Sequence, residues 1–156
     1  MSPSQKTLIL GIGNLLMGDE GVGVHAIRYL EHSTLGGDVR LLDGGTGGFH
    51  LLSLFQEYNP IVLIDATMDG KEPGTVTLTK PRFASDFPRT LSAHDIGLRD
   101  LLESATLIGP LPELYLVTIA INEIRSMDME LSVAVGASLS TVAEVIQDIL
   151  DGKGRS

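Results

Sequence analysis

The 156-residue sequence contains no cysteine and no tryptophan, and aromatic residues make up only 4% of it. Without cysteine there is no disulfide, no thiolate metal site and no cysteine nucleophile, and the composition suits a reducing compartment. Basic residues are also scarce, because 11 Lys and Arg stand against 20 Asp and Glu, which gives a formal net charge of -9. A surface of that sign repels nucleic acids and anionic membranes. We therefore expect neither as a partner.

Long hydrophobic runs are missing as well. The first apolar run begins at Leu8 and is interrupted by glycines after a few residues, so it predicts neither a secretory signal nor a membrane span. We expect a cytoplasmic monomer. The length fits a single domain over residues 1–156 with a core of its own, and the polar, glycine-rich end predicts a frayed tail over about residues 151–156.

Strand and helix patterns alternate along the chain with short links. Continuous or alternating apolar runs predict strands at residues 8–11, 38–43, 61–66, 75–79 and 114–121. Apolar residues at helical spacing predict helices at residues 22–32, 49–58, 95–102 and 132–150. This alternation predicts an α/β fold, a three-layer α/β/α sandwich around a mostly parallel, twisted sheet of about five strands. The β-branched segment at 75–79 is expected near an edge of the sheet and antiparallel to it.

Residues 8–25 are the most informative stretch, because a strand, a glycine turn, an acidic pair and a helix start follow one another there. In an open parallel sheet, ligands bind beyond the carboxyl ends of the strands. A dinucleotide fingerprint requires glycine where this sequence has Leu16. The carboxylates of Asp19 and Glu20 also occupy the helix N-terminus where a phosphate would bind. The stretch therefore favours a cation over a nucleotide.

The two adjacent acids are expected to have different roles. We expect Asp19 to cap the helix N-terminus and Glu20 to face the cleft. His25 follows Glu20 by five positions, which places it well around the helix at about 100° per residue, so we expect it to pack beside the site. His32 and His50 have surface explanations, one at a helix end and one at a helix start.

Three further motifs follow in a fixed order. Asp43-Gly44-Gly45-Thr46 follows the second strand, Asp65 ends the third, and Ser92-Ala93-His94 closes a long irregular loop before a helix. Together with the strand, G-x-G-N and D-E-G-x-G order at the start, this pattern resembles the hydrogenase maturation endopeptidases. Members of that family remove a C-terminal extension from the large subunit of nickel-iron hydrogenases.

The resemblance implies that Glu20, Asp65 and His94 form the catalytic, metal-binding trio. Two oxygen donors and an imidazole suit a borderline divalent ion such as Ni²⁺ or Zn²⁺ and leave coordination positions open. The resemblance further implies that the ion is nickel supplied by the substrate, the hydrogenase large-subunit precursor. Zn²⁺ or Cd²⁺ is expected to replace it in vitro.

Substrate recognition is expected at the loops beside this trio. The resemblance assigns it to Asp43, Gly44, Gly45 and Thr46, with Asn14 of the G-x-G-N motif. One segment departs from the family pattern, because residues 120–123 read Ala-Ile-Asn-Glu where family members commonly carry a glycine. The choice of substrate is expected to depend on this wall.

Two alternatives compete with the endopeptidase interpretation. Ser92 with His94 would suggest a serine hydrolase, but residues two apart in an extended loop point in opposite directions, and no nucleophile elbow is present. A non-enzymatic metal- or nucleotide-binding α/β module remains the alternative from another class.

Overall fold

Five strands form one sheet in this computed structural model, which describes residues 6–88, 98–125 and 127–152. They are β1 (Thr7–Gly11), β2 (Val39–Asp43), β3 (Ile61–Thr67), β4 (Val76–Thr79) and β5 (Leu114–Ala120). Their spatial order is β2-β1-β3-β5-β4. All neighbours run parallel except β4, which lies antiparallel to β5 at one edge. The predicted mostly parallel sheet with an antiparallel edge strand is confirmed.

Helices cover both faces of this sheet. They are α1 (Val22–Glu31), α2 (Leu54–Glu57), α3 (Leu98–Ile108), α4 (Val133–Ala137) and α5 (Leu139–Leu150). Helices α1 and α5 pack with one face of the sheet, and α2 and α3 pack with the other. The three-layer sandwich predicted from the sequence is therefore the observed architecture.

The central strand β3 shows why the sheet is buried on both sides. Its residues alternate between the two cores, with Ile61 and Leu63 in the α3 layer and Val62 and Ile64 in the α1 layer. Burying each of these side chains contributes roughly 1.5–3 kcal/mol. The first charge on this strand is Asp65, at its fifth position.

Three helices differ from their predictions. The helix predicted at residues 95–102 is α3, which continues to Ile108, and its predicted first residues 95–97 lie outside the described part of the chain. Residues 49–58 form a 3-10 turn and a single α-turn, an arrangement that still buries Leu51, Leu54 and Phe55. The continuous helix predicted at 132–150 divides at Ser138, whose hydroxyl donates to the Val135 carbonyl at 2.5 Å. A serine that bonds the preceding turn tightens the helix locally and competes with its regular hydrogen bonds.

By length and composition alone, the segment Val133–Leu150 is long and apolar enough to cross a membrane. Its apolar positions Val142, Ile146 and Ile149 lie in the α1 layer of the core. The other side of the segment carries polar residues, as in a helix that covers a sheet in a globular domain.

Candidate active site at the carboxyl end of the sheet

The strand order places a topological switch point between β1 and β3. From β1 the chain crosses to β2 on one side and then returns to β3 on the other. Open α/β sheets bind ligands in the crevice at such a point. Glu20 lies on a 3-10 turn, Gly18–Gly21, that follows β1 and contacts β3, and Asp65 lies near the end of β3. Two members of the predicted trio are therefore brought to one edge, while His94 lies outside the described residues.

Glu20 is held by the loop that leaves β1. Its side chain is 2% exposed, and Oε2 accepts the backbone N–H of Asn14 at 2.8 Å. The Asn14 side chain shapes this loop, because its Oδ1 accepts the N–H of Leu16 at 3.0 Å. The Asn14 amide is thus engaged by a carboxylate at the place where a dinucleotide-binding loop would meet a phosphate.

Asp65 is fully buried at 0% exposure. Its Oδ1 accepts the N–H of Ala66 at 2.8 Å, and in the sheet it lies level with Thr118 of β5. Alternation along the strand places Asp65 on the same face as Leu63, in the α3 layer. A buried carboxylate costs free energy through desolvation, so its presence after four apolar strand residues makes Asp65 a candidate for a functional role.

Asp19 does not cap a helix, so that prediction was wrong. Neither the 3-10 turn nor α1 has a side-chain cap. Asp19 is 6% exposed, and its Oδ1 and Oδ2 accept the N–H and the hydroxyl of Ser132, each at 2.7 Å. Sequence reasoning missed Ser132, because a contact across 113 positions leaves no local signal; its own place before α4 looks like an ordinary N-cap.

Glycines bring α1 unusually close to the sheet. A Cβ at Gly23 would lie 2.2 Å from the carbonyl oxygen of Ile12 and 2.5 Å from that of Ile64. A Cβ at Gly11 would lie 2.2 Å from the carbonyl oxygen of Gly23. Gly23 therefore performs the close helix-to-strand packing for which the dinucleotide fingerprint uses its third glycine.

The predicted recognition residues lie at the same edge. Asp43 is exposed at the end of β2 and its Oδ1 accepts the N–H of Gly45 at 2.8 Å, while Thr46 is exposed beyond it. Gly44 is buried against β1, and the Gly45 carbonyl accepts the N–H of Gly13 at 2.7 Å. This turn therefore borders the Asn14 loop; its role in recognition stays a prediction.

The three histidines in the described part of the chain lie where the sequence predicts them. His25 is half-buried, and its burial lowers the pKa of the imidazole, while a hydrogen bond with the backbone of Met129 acts in the opposite direction. It packs beside the acidic loop as expected. The remaining two described histidines are exposed at the surface: His32 and His50.

A cavity of about 430 Å³ opens at the ends of β3 and β5. Met68 and Lys71 line one side of it, and Ile121 and Asn122 line another. These last two residues belong to the segment that departs from the family pattern. The departure therefore shapes a cavity wall beside the site.

The fold and the site define the class of protein. It is a three-layer α/β protein with two buried carboxylates at its switch point, and such an arrangement suits a divalent cation. The model of the hydrogenase maturation protease family matches residues 24–149. This chain belongs to that family of endopeptidases.

Individual relatives agree with this assignment. The hydrogenase 2 maturation protease of Escherichia coli is 30% identical over 96% of this chain and 93% of its own length. The solved hydrogenase maturating endopeptidase HybD from E. coli superposes with a TM-score of 0.83 at 29% identity, covering 96% of this chain and 94% of that one. The hydrogenase expression/formation protein HupD of Rhizobium leguminosarum is 35% identical over 71% of this chain, which spans 56% of HupD.

Proposed function

We propose that this chain removes the C-terminal extension from the large-subunit precursor of a nickel-iron hydrogenase after nickel has been inserted. One observation carries the proposal: Glu20 and Asp65 are buried carboxylates at the carboxyl ends of adjacent strands, in a chain that belongs to the maturation protease family. Their burial strengthens electrostatic contact with a cation, because little water remains to screen it.

His94 completes the proposed trio. Helix α3 ends near Gly109, which lies beside Gln56 at the amino end of the sheet, so the helix begins toward the carboxyl end. His94 precedes the first residue of that helix, Leu98, by four positions in the sequence. This direction of α3 supports the assignment of His94 to the same edge as Glu20 and Asp65.

The nickel belongs to the substrate in this proposal. Two carboxylates and one imidazole, without a thiolate, form a set that binds free metal weakly and leaves positions for ligands from the precursor. Glu20, Asp65 and His94 would recognise the nickel and so fix the tail beside it for hydrolysis. Zn²⁺ and Cd²⁺ accept the same donors and serve as probes.

We propose that the tail of the precursor runs across the carboxyl edge of the sheet. It would start beside Asp43-Gly44-Gly45-Thr46 and Asn14 and end in the cavity beyond β3. Met68, in the cavity wall, follows Asp65 by three positions, which is about 10 Å along an extended strand. An extended tail that is held at Asp65 and runs the same way would therefore reach the cavity about three residues further on.

The site of action is proposed to be the cytoplasm, with the chain acting as a monomer. A cysteine-free composition is compatible with a reducing compartment.

The proposal is tested by incubating the purified protein with nickel-loaded precursor and following intact mass. We expect one decrease, equal to the mass of a single C-terminal peptide, and no decrease with the Asp65→Asn variant. An unchanged precursor mass after long incubation with the wild type would overturn the proposal in favour of a non-enzymatic metal-binding module.

A further inference from the structure

The turn that carries Glu20 has little support of its own. Gly18–Gly21 is a single 3-10 turn of four residues, and no side chain caps it. A turn of this length does not hold its shape alone, because its few internal bonds do not offset the entropy of ordering it. Gly18 adopts a left-handed φ of 61°. The position of Glu20 therefore depends on contacts from outside the turn, of which the Asn14 N–H on its carboxylate is one.

Further contacts come from the segment that leads into α4. The N–H of Gly18 donates to the carbonyl of Asp128 at 2.6 Å, and the N–H of Asp128 donates to the carbonyl of Leu16 at 3.0 Å. The two main chains thus form a short parallel bridge outside the sheet. Four residues further on, Ser132 binds Asp19 with its N–H and its hydroxyl.

The Asp19 contact differs from the backbone bridge because it is charged and buried. A carboxylate that accepts two bonds of 2.7 Å at 6% exposure is held more tightly than a neutral pair would be. Because Ser132 donates hydrogen bonds to both carboxylate oxygens of Asp19, the position of this side chain is fixed, and Asp19 serves as a fixed point for the turn. Its neighbour Glu20 lies in the same turn, so a shift of Asp19 would move the Glu20 carboxylate relative to the Asn14 amide.

We propose that Asp19 is a positioning residue for the active site. By binding Ser132 at the start of α4 it fixes the turn and holds the Glu20 carboxylate in the geometry in which it meets the metal. This inference rests on the proposed function, and it gives residues 128–132 a role although they contribute nothing to the predicted trio.

The test compares three variants with a stability control. Asp19→Ala removes the fixed point, Ser132→Ala removes one of its two bonds, and Ser132→Thr keeps both. The control is Val142→Ala, which leaves a cavity in the core under α5 and changes none of the hydrogen bonds that hold the turn. Each protein is assayed for its Cd²⁺ dissociation constant by equilibrium dialysis, for kcat and KM on nickel-loaded precursor, and for urea unfolding.

We expect Asp19→Ala to weaken Cd²⁺ binding and to lower kcat by about 10- to 100-fold each, as loss of an outer partner of a metal ligand does. Ser132→Ala should show a smaller loss of both, and Ser132→Thr should match the wild type. Val142→Ala should lose stability with Cd²⁺ binding and kcat unchanged.

Two results would overturn the inference. One is Asp19→Ala or Ser132→Ala with wild-type Cd²⁺ affinity and wild-type kcat. The other is a loss of both that Val142→Ala reproduces at equal destabilisation, because the role of Asp19 would then be structural only. Ser132→Ala decides the matter if Asp19→Ala does not fold. A wild type that leaves the precursor uncut would refute the proposed function instead, and the Cd²⁺ measurements would still decide the role of Asp19.

Discussion

The two ends of the sheet differ in buried charge: the charged side chains that are buried in the described part of the chain lie at the carboxyl end. At the carboxyl end, the side chains of Asp19, Glu20 and Asp65 are between 0% and 6% exposed. At the amino end, charged groups pair in the open. Lys6 lies 3.5 Å from Asp38 and Lys80 lies 3.3 Å from Glu113, with side chains between 32% and 69% exposed.

This difference in burial distinguishes the carboxylates that we propose to act in function from the exposed charges that favour solubility. Exposed ion pairs contribute typically 0–1 kcal/mol, because solvent screens them. Buried carboxylates cost free energy to desolvate and recover it only through specific partners. Three buried acids at one edge are therefore a poor route to stability, which favours the proposed active site as the reason for their burial.

The largest contrast is expected in catalysis. Glu20→Gln and Asp65→Asn each keep the size of the side chain but remove the charge that a cation requires. We expect each to lower the rate of precursor cleavage by at least about 100-fold, above the usual effect of altering an outer partner, without lowering thermal stability. The rate is read from intact mass against time, and unfolding from circular dichroism.

The matched control for this prediction is Glu113→Gln at the amino end, which should cleave at the wild-type rate. Equal losses at Glu20 and Glu113 would show that the carboxyl end has no special role in the reaction.

A second contrast concerns packing. Gly23→Ala at the carboxyl end would place a Cβ within 2.5 Å of two backbone oxygens, so we expect it to lower the free energy of unfolding by about 1–3 kcal/mol or more. Gly36→Ala toward the amino end has its nearest atom at 3.9 Å and should be close to neutral. Urea unfolding of both variants measures the difference, and a neutral Gly23→Ala would contradict the close approach of α1 to β1.

A third contrast is in pH dependence. Burial holds the pKa of His25 below its ordinary 6.5. Below pH 6.5 the imidazole therefore binds a proton more readily in the unfolded chain than in the folded chain. The stabilising effect of a neutral His25 is complete above pH 6.5 and is lost as the pH falls below it. His25→Gln should therefore flatten the decline in unfolding free energy between about pH 7 and pH 5.

His32→Gln, at the exposed far end of α1, serves as the control and should keep the wild-type slope. Identical slopes for the wild type and His25→Gln would show that His25 is not held neutral by the fold.

The smallest effect is expected from the amino-end ion pairs. Lys6→Ala removes the contact with Asp38 between two largely exposed side chains. We expect a change in unfolding free energy of about 0.5 kcal/mol or less and no change in cleavage rate. A loss above about 2 kcal/mol would mean that the amino end also depends on its charges.

Much of this architecture was predictable because it depends on local patterns. An apolar run with its first charge at Asp65 predicts a buried strand that ends in a site, and the glycine turn before Glu20 predicts a loop at the edge of a sheet. The alternating residues of β4 predict its place at the edge. Each of these features is encoded within about ten consecutive residues.

The remainder depends on pairs that are distant in the sequence. Nothing local distinguishes Asp19 from Glu20, because both are acids at a helix start; Ser132, reached only through the fold, is what separates their roles. The break at Ser138 follows from one side-chain bond that apolar periodicity does not register. The extent of the domain and the recognition roles at residues 43–46 stay predictions.

We propose above all that side chains at the carboxyl end of the sheet recognise the nickel ion carried by the substrate. The most direct measurement compares nickel-free and nickel-loaded precursor, incubated with the same purified protein without added metal and weighed intact by mass spectrometry. The account predicts that the nickel-loaded precursor loses a single C-terminal peptide while the nickel-free precursor keeps its full mass. Equal cleavage of the two forms would contradict it.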